Sequence, residues 1–241
     1  MFKAVWRAVV LALFCVGTAS ASNLVYDGFD YLPGALSGNN GGVGFAAPWL
    51  ADPGVIVQPP GLSHPLALPS AGLEVGGAFN SARLLSSALS LPEYWASFQI
   101  NANPGNDQVW LGLDTASSST PLVWFGRRLN TYFIQQGTAA AITGGVASPV
   151  GVTDLLVARF KQSGAVTDVD LWVNTNNFTL LPLISAVVPT VPYTWANMQV
   201  QPGLFADEIR IGTTAFDVAA VPEPATLLLL AIGGMAMMGR R

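Results

Sequence analysis

The stretch Leu155–Val173, LLVARFKQSGAVTDVDLWV, contains the clearest signal for the fold of this chain. Two runs rich in branched aliphatic and aromatic residues, Leu155–Phe160 and Val166–Val173, flank a short segment that contains Gly164. Such runs favour β-strands, and a glycine between two of them favours a tight turn. The stretch therefore predicts an antiparallel β-hairpin.

The second strand of this hairpin has two unlike faces, because successive side chains of a strand point to opposite sides. One face is aliphatic and is expected to pack inward: Val169, Leu171 and Val173. The other face carries Asp168, Asp170 and Trp172. We expect Arg159, on the first strand, to pair with this acidic face, at little gain in stability if the pair is exposed.

Similar strand-like runs recur along the chain between turns rich in Gly and Pro, and they include Ala82–Leu85, Tyr94–Ile100, Gln108–Leu113, Leu122–Gly126, Thr131–Ile134 and Asp207–Gly212. The turns predict two further hairpins. One joins Tyr94–Ile100 to Gln108–Leu113, and the other joins Leu122–Gly126 to Thr131–Ile134. No amphipathic helix pattern interrupts the series. We therefore expect an all-β fold for residues 22–220, a sandwich or jelly roll of two antiparallel sheets.

The composition supports this fold class and excludes some functions. Only 10% of the 241 residues are charged, whereas about 25% is usual, and 25 Gly and 17 Pro supply turns. Four of the ten basic residues lie at the two ends of the chain, and the remaining six form no cluster larger than the pair Arg127 and Arg128. Nucleic-acid binding is not expected, because it needs clustered cations.

Residues 1–21 have the pattern of a secretory signal peptide with an apolar helix. Lys3 and Arg7 precede the apolar run Ala8–Gly17, and Ala19 and Ala21 form a small-residue cleavage site for signal peptidase. The one cysteine of the chain lies in the apolar run. The mature protein is thus expected to contain no disulfide and no thiolate metal site.

The end of the chain, residues 221–241, combines three features. Pro222, Glu223 and Pro224 precede an apolar run of 14 residues, Ala225–Met238, and Arg240 and Arg241 follow. As a helix this run would be about 21 Å long, shorter than a hydrocarbon core of about 30 Å. It favours an interfacial or transient membrane segment with the arginines on the cytoplasmic side.

This combination resembles the PEP-CTERM sorting signal of Gram-negative bacteria. The resemblance implies recognition and processing by an exosortase, an integral-membrane cysteine protease, with Pro222, Glu223 and Pro224 as the recognition element and Arg240 and Arg241 as the cytoplasmic stop. It further implies export, transient anchoring in the inner membrane, and a final place on the cell surface or in an extracellular exopolysaccharide matrix.

The body has a second resemblance, to concanavalin-like or laminin-G-like jelly rolls. It is carried by Tyr26–Tyr31, by Ala158–Phe160 with Asp168–Asn174, and by Asp207–Gly212. Such domains include lectins, carbohydrate-binding modules, glycosidases and structural modules, so the resemblance implies a fold without selecting a function. It also implies that Asp207 and Glu208 help to order the last strand, with Arg210 flat on the sheet.

No catalytic residues are assigned, and we do not expect an enzyme. The Glu-x-Asp-x-x-Glu strand motif of jelly-roll glycosidases is absent, and Asp168 and Asp170, about 7 Å apart on one strand face, fit a solvated polar face. His64 has no second histidine to complete a zinc site. A divergent polysaccharide hydrolase or lyase remains the alternative function.

No cofactor or metal ligand is assigned either, although a structural calcium ion at the sandwich rim remains open, near Asp27, Asp30, Asp107 or Asp114. Carbohydrate binding would need an exposed aromatic platform beside amide or carboxyl groups. Candidates are Trp110, Trp124, Trp172 and Trp195, with Asn101, Asn103, Asn106, Asn174, Asn176 and Asn177 nearby in sequence. We predict that Trp172 contacts the sugar, because it lies on the face of its strand opposite Val169, Leu171 and Val173.

The sequence thus predicts a signal peptide (1–21), a β-sandwich domain (22–220) and a sorting segment (221–241). The predicted function is that of an exported, exosortase-sorted protein with a structural or weak carbohydrate-binding role in an extracellular polysaccharide.

Overall fold

The fold is seen in a computed structural model that describes residues 23–68, 72–77, 79–102 and 108–219. In these residues sixteen β-strands pair in antiparallel fashion, and a 3-10 helix follows at Ala215–Asp217. The strands are β1 (Asn23–Asp27), β2 (Gly34–Ala35), β3 (Leu50–Ala51), β4 (Ile56–Gln58), β5 (Glu74–Gly76), β6 (Phe79–Leu89), β7 (Glu93–Ala102), β8 (Gln108–Asp114), β9 (Val123–Arg128), β10 (Thr131–Gln136), β11 (Ile142–Ala147), β12 (Thr153–Ser163), β13 (Val166–Val173), β14 (Ile184–Pro189), β15 (Tyr193–Val200) and β16 (Leu204–Gly212).

The strands form two sheets that face each other. Sheet A has the order β14-β13-β12-β7-β16-β5-β4-β2, with β1 paired to β16, and sheet B has the order β11-β10-β9-β8-β15-β6-β3. Aromatic rings meet between the sheets: Phe125 of sheet B lies 5.5 Å from Phe98 and 6.2 Å from Phe160, both of sheet A, between ring centroids. The all-β, two-sheet antiparallel sandwich is therefore confirmed.

The hairpin predicted from Leu155–Val173 is formed by β12 and β13. Phe160 lies opposite Val169 in the pairing, and Gly164 in the turn has a φ of 66°, in the left-handed region that favours glycine. Val169 and Leu171 are buried in the core between the sheets, so the predicted inward face is also confirmed. The hairpin of β9 and β10 is confirmed in the same way.

The hairpin predicted from Tyr94–Ile100 and Gln108–Leu113 is wrong. These runs form β7 and β8, but β7 pairs with β12 and β16 in sheet A, whereas β8 pairs with β9 and β15 in sheet B. A strand has two hydrogen-bonding edges, and on β7 and β8 both edges are taken by other strands. The two runs therefore belong to different sheets.

The last strand, β16, contains an irregularity that its sequence pattern did not reveal. Ile209 and Ile211 of this strand point into the core. However, the register with β7 shifts between Asp207 and Arg210, and Glu208 has a φ of 57°. Such a bulge re-aims the side chains beside it.

Some predictions fall on residues outside the described ranges. These include the signal peptide with Ala19 and Ala21, the sorting segment, and Asn103, Asn106 and Asp107. Within the described ranges, no helix has both the length and the apolar character needed to cross a membrane.

Candidate functional site

A groove on sheet A brings together the polar residues that the sequence placed on β12 and β13. We call it the Arg159 groove, and it encloses about 370 Å³. It is lined by Ile142, Arg159, Lys161, Asp168, Asp170, Ser185, Ala186 and Val187. Strand β14, which supplies the last three of these residues, ends the strand order of sheet A in the described residues.

Strand pairing arranges the groove in cross-strand rows. In one row Arg159 of β12 lies between Trp95 of β7 and Asp170 of β13, and Asp170 lies opposite Ser185 of β14. Directly opposite residues on neighbouring strands have side chains close enough to interact. The row thus places an aromatic ring, a cation, a carboxylate and a hydroxyl side by side.

The central ion pair of this row is ordered on both sides. Arg159 Nη2 donates to Asp170 Oδ2 over 2.6 Å, and Ser185 Oγ donates to Asp170 Oδ1 over 2.6 Å. The guanidinium carbon also lies 5.8 Å from the ring centroid of Trp95 and 5.6 Å from that of Trp172. The predicted pairing of Arg159 with the acidic face is confirmed, and both oxygens of Asp170 are engaged.

The neighbouring row leaves more polar surface accessible. Lys161 is exposed and lies opposite Glu93 on β7 and half-buried Asp168 on β13, which in turn lies opposite exposed Val187. The Arg159 side chain itself keeps 30% of its surface exposed. The groove therefore presents two cations beside two carboxylates, with an aliphatic wall.

Trp172 lies on the outer face of β13, as predicted, but it is covered. Its exposed fraction is 3%, its ring stacks on Trp95 with centroids 5.6 Å apart, and Phe178 meets it edge-on at 5.5 Å. Its indole Nε1 donates to the carbonyl of Leu180 over 3.0 Å. The buried ring of Trp172 therefore packs against the guanidinium group of Arg159. Its contact with a sugar remains a prediction.

Replacing Trp172 by Phe distinguishes a structural role of this side chain, packing against Trp95 and Arg159, from direct contact with a sugar. An aromatic ring is kept against Trp95, whereas the hydrogen bond to Leu180 is lost, so we expect the free energy of unfolding to fall by about 1 kcal/mol. Urea unfolding of the full chain measures this change, with Trp195→Phe at a half-buried tryptophan of sheet B as the control. Loss of glycan binding without loss of stability would instead identify Trp172 as a direct sugar contact.

The other predicted aromatic candidates lie on sheet B. Trp110 and Trp124 are buried, with ring centroids 4.9 Å apart, and Phe133 meets Trp124 at 5.3 Å. Trp110 Nε1 donates to Gln199 Oε1 over 2.9 Å. These two tryptophans pack against each other and against side chains of their own sheet.

A second groove, of about 320 Å³, lies on the side of β3 and β6 in sheet B. It is lined by Leu50, Ala51, Asp52, Asn80, Ser81, Ala82, Ser117, Ser118 and Ser119. Asp52 Oδ2 accepts a hydrogen bond from the backbone N–H of Asn80 over 3.0 Å. This groove offers hydroxyl groups and a carboxylate, and its lining in the described residues contains no cation.

The bulge in β16 lies at a buried acidic cluster beneath residues 59–68, which include His64 and which we call the crossover loop. Asp207 is fully buried, its Oδ2 accepts from the backbone N–H of Leu62 over 2.9 Å, and its Oδ1 accepts from Glu208 N over 2.7 Å. Burial raises the pKa of Asp207 to about 8. Asp207 therefore attaches the crossover loop to the sheet, a contact that sequence reasoning missed.

Glu208 of this cluster forms hydrogen bonds with the neighbouring side chains of Arg210 and Tyr26. Arg210 donates to Glu208 Oε2 over 2.6 Å, and Tyr26 donates to Glu208 Oε1 over 3.2 Å. The Arg210 guanidinium lies 4.3 Å above the Tyr26 ring. These contacts fit the expected ordering of the last strand.

Other sequence candidates have local structural partners. His64 Nδ1 accepts from Leu66 N over 3.2 Å, and burial lowers the pKa of His64. Asn174 donates to Asp154 Oδ1 and accepts from Leu155 N. Among the described residues no group of three or more acidic, His or Cys side chains is placed to hold a metal ion, so the calcium site stays a prediction.

Comparison with known proteins identifies the end of the chain. Residues 220–241 match the PEP-CTERM protein-sorting motif, which confirms the resemblance found in the sequence. The motif indicates an exported protein that is sorted to the cell surface after processing by an exosortase. The comparison with curated proteins finds no similar sequence.

Solved structures give weak similarities to the body. The carbohydrate-binding module CBM66 from Bacillus subtilis is 11% identical, with 61% of this chain and 90% of that chain covered at a TM-score of 0.42. The galectin LEC-6 of Caenorhabditis elegans is 10% identical, and the match covers 63% of this chain and 99% of the galectin at a TM-score of 0.36. The sialidase of Trypanosoma rangeli is 9% identical, and the match covers 74% of this chain and 30% of the sialidase at a TM-score of 0.38. No function is transferred from structures at scores this low.

Proposed function

We propose that this chain is a non-enzymatic, exosortase-sorted protein whose β-sandwich has a structural or weak carbohydrate-binding role on the cell surface or in an extracellular polysaccharide. The observation that carries the proposal is the sorting motif at residues 220–241. A signal-like segment at the other end of the same chain is consistent with export.

The geometry of the body supports a binding or structural role over hydrolysis. Glycoside hydrolysis by the usual route needs one carboxyl group free to donate a proton and a second to act as base or nucleophile. In the Arg159 groove, Asp170 is already engaged by Arg159 and Ser185. The groove instead resembles a surface that forms hydrogen bonds with a polyhydroxylated ligand.

The sorting part of the proposal predicts a loss of surface retention. Removal of residues 222–241 deletes the proline-flanked glutamate, the apolar run and the arginines, so we expect the protein to leave the membrane fraction and to lose its processing step. Fractionation and the size of the exported product measure this. Glu223→Ala is the matching point variant, with Glu93→Ala in the body as its control. Unchanged retention and processing after the deletion would contradict the proposal.

A further inference from the structure

We infer that the Arg159 groove binds the uronate residues of an acidic polysaccharide, with Arg159 and Lys161 receiving the sugar carboxylate. This inference rests on the proposed extracellular role and names the class of ligand for it.

The distribution of charge singles out this groove. Residues 22–220 contain 13 acidic and six basic side chains. Three of the six are buried, namely Arg83, Arg127 and Arg210. Of the others, Arg128 lies at the turn end of β9, whereas Arg159 and Lys161 share one groove. Acidic side chains outnumber basic ones by seven in residues 22–220, and this groove places two accessible cations together.

The two cations have complementary properties. They are two residues apart on β12, so their side chains leave the same face of the sheet about 7 Å apart. Arg159 is held in place by Asp170 and by two indole rings, and little conformational entropy is lost when it binds a further group. Lys161 is exposed and flexible, and can move to a carboxylate that Arg159 has positioned.

The rest of the groove suits a sugar ring. Asp168 can accept hydrogen bonds from hydroxyl groups, and Ser185 can accept one through its hydroxyl oxygen while it donates to Asp170. Val187 and Ile142 are 60% and 48% exposed and form an aliphatic wall for the C–H face of a sugar. The polar groups can thus recognise the hydroxyls, while the charge-assisted bonds to Arg159 and Lys161 select the carboxylate.

The closing experiment compares two oligosaccharides that differ in one group. Cello-oligosaccharide and its C6-oxidised form, cellouronate, of equal length are titrated calorimetrically into the full chain. We expect cellouronate to bind about five-fold more tightly, the worth of one exposed ion pair. We expect the difference to shrink as salt is added, because salt screens exposed charges.

Variants assign this preference to the groove. Lys161→Met should reduce the preference for cellouronate, because only Arg159 then receives the carboxylate, and the fold should be retained because Lys161 is exposed. Arg128→Met, at an exposed arginine outside the groove, and Asp52→Asn, in the second groove, should leave the preference unchanged. A preference that is undiminished in Lys161→Met, or that falls equally in Arg128→Met, would overturn the inference.

The outcomes also separate this inference from the proposed function. Equal binding of both oligosaccharides would overturn the inferred preference for uronate residues, while the proposed carbohydrate binding would still stand. Binding of neither oligosaccharide overturns the uronate site, and the sorting experiment then decides independently whether the chain is an exported surface protein.

Discussion

Replacement of Arg83 by Met is expected to lower the free energy of unfolding by about 3–5 kcal/mol, because it removes one partner of a buried ion pair. Arg83 Nη1 and Asp27 Oδ2 are 2.5 Å apart, and both side chains are 1% exposed. Asp27 belongs to β1 of sheet A and Arg83 to β6 of sheet B. The variant therefore leaves a carboxylate buried between the sheets without its cation.

The loss extends beyond the ion pair, because the guanidinium group also holds the segment between β1 and β3. Arg83 Nη2 donates to the carbonyl of Gly41 over 2.7 Å and to Asn40 Oδ1 over 2.9 Å, and Nε donates to the carbonyl of Ala47 over 2.8 Å. Its carbon lies 4.1 Å from the ring centroid of Phe45. A methionine can replace the apolar contact but none of these hydrogen bonds.

Urea and thermal unfolding of the full chain measure the effect, and a fall in Tm of about 10 °C is expected. Arg128→Met makes the same chemical change at an exposed position, where a surface substitution alters stability by about 0.5 kcal/mol or less. Arg83→Lys should give an intermediate loss, since it keeps the charge without the fork of donors. A loss below about 1 kcal/mol for Arg83→Met would show that the network is not what holds the sheets together.

The parts of the fold that could be predicted from sequence depend on local signals. The β12–β13 hairpin follows from two alternating runs and from Gly164, whose φ of 66° the turn requires. The inward face of β13 follows from strand alternation alone. Neither inference needs knowledge of a residue distant in the chain.

The prediction failed where a partner is distant. The β7–β8 hairpin was expected from a short turn, but pairing with β12 and β16 decides the place of β7. The Arg83–Asp27 pair joins residues 56 apart, and the Asp207–Leu62 bond joins residues 145 apart. No local pattern marks such contacts, since they exist only once both sheets are assembled.

The candidate site was predicted in part for the same reason. Arg159, Asp168 and Asp170 share one hairpin, so their meeting could be read from the register. Ser185 was missed because it reaches Asp170 from β14, which carries no turn signal as clear as Gly164. The cover of Trp172 by Phe178 was missed because it depends on the path of the loop after β13.

The second large effect concerns the pH dependence of stability at Asp207. Burial, with a further contribution from Glu208 and Glu74, raises the pKa of this carboxyl from its ordinary value near 3.8 to about 8 in the folded protein. Backbone N–H groups of Leu62 and Glu208 oppose the rise. The folded state thus retains a proton on Asp207 at pH values at which the unfolded chain has lost it.

The sign of the effect follows from proton linkage. Below about pH 4 both states hold the proton, and above about pH 8 both have lost it. Between these limits the folded state binds more protons, so the free energy of unfolding falls as pH rises, by about 1.4 kcal/mol per pH unit at most. From pH 5 to pH 8 we expect a loss on the order of 3 kcal/mol from this group.

Asp207→Asn isolates this contribution, because the amide stays neutral at every pH. Near pH 5 the variant should be less stable than the natural chain, since its amide nitrogen cannot accept the second backbone hydrogen bond. Near pH 8 the order should reverse, since the natural chain then bears the cost of a buried charge. Urea unfolding at a series of pH values measures both, with Asp30→Asn as the exposed control.

The interval above pH 6.5 is the most informative part of this series. His64, whose pKa is lowered from 6.5 by burial, makes stability rise with pH below that value, in the opposite sense to Asp207. Above it His64 is neutral in both states, and the slope reports the buried carboxyl. Parallel curves for the natural chain and Asp207→Asn across this interval would mean that Asp207 is already ionised in the fold. The crossover loop would then be held to the sheet by a carboxylate accepting two backbone N–H groups, and its attachment would not weaken as pH rises.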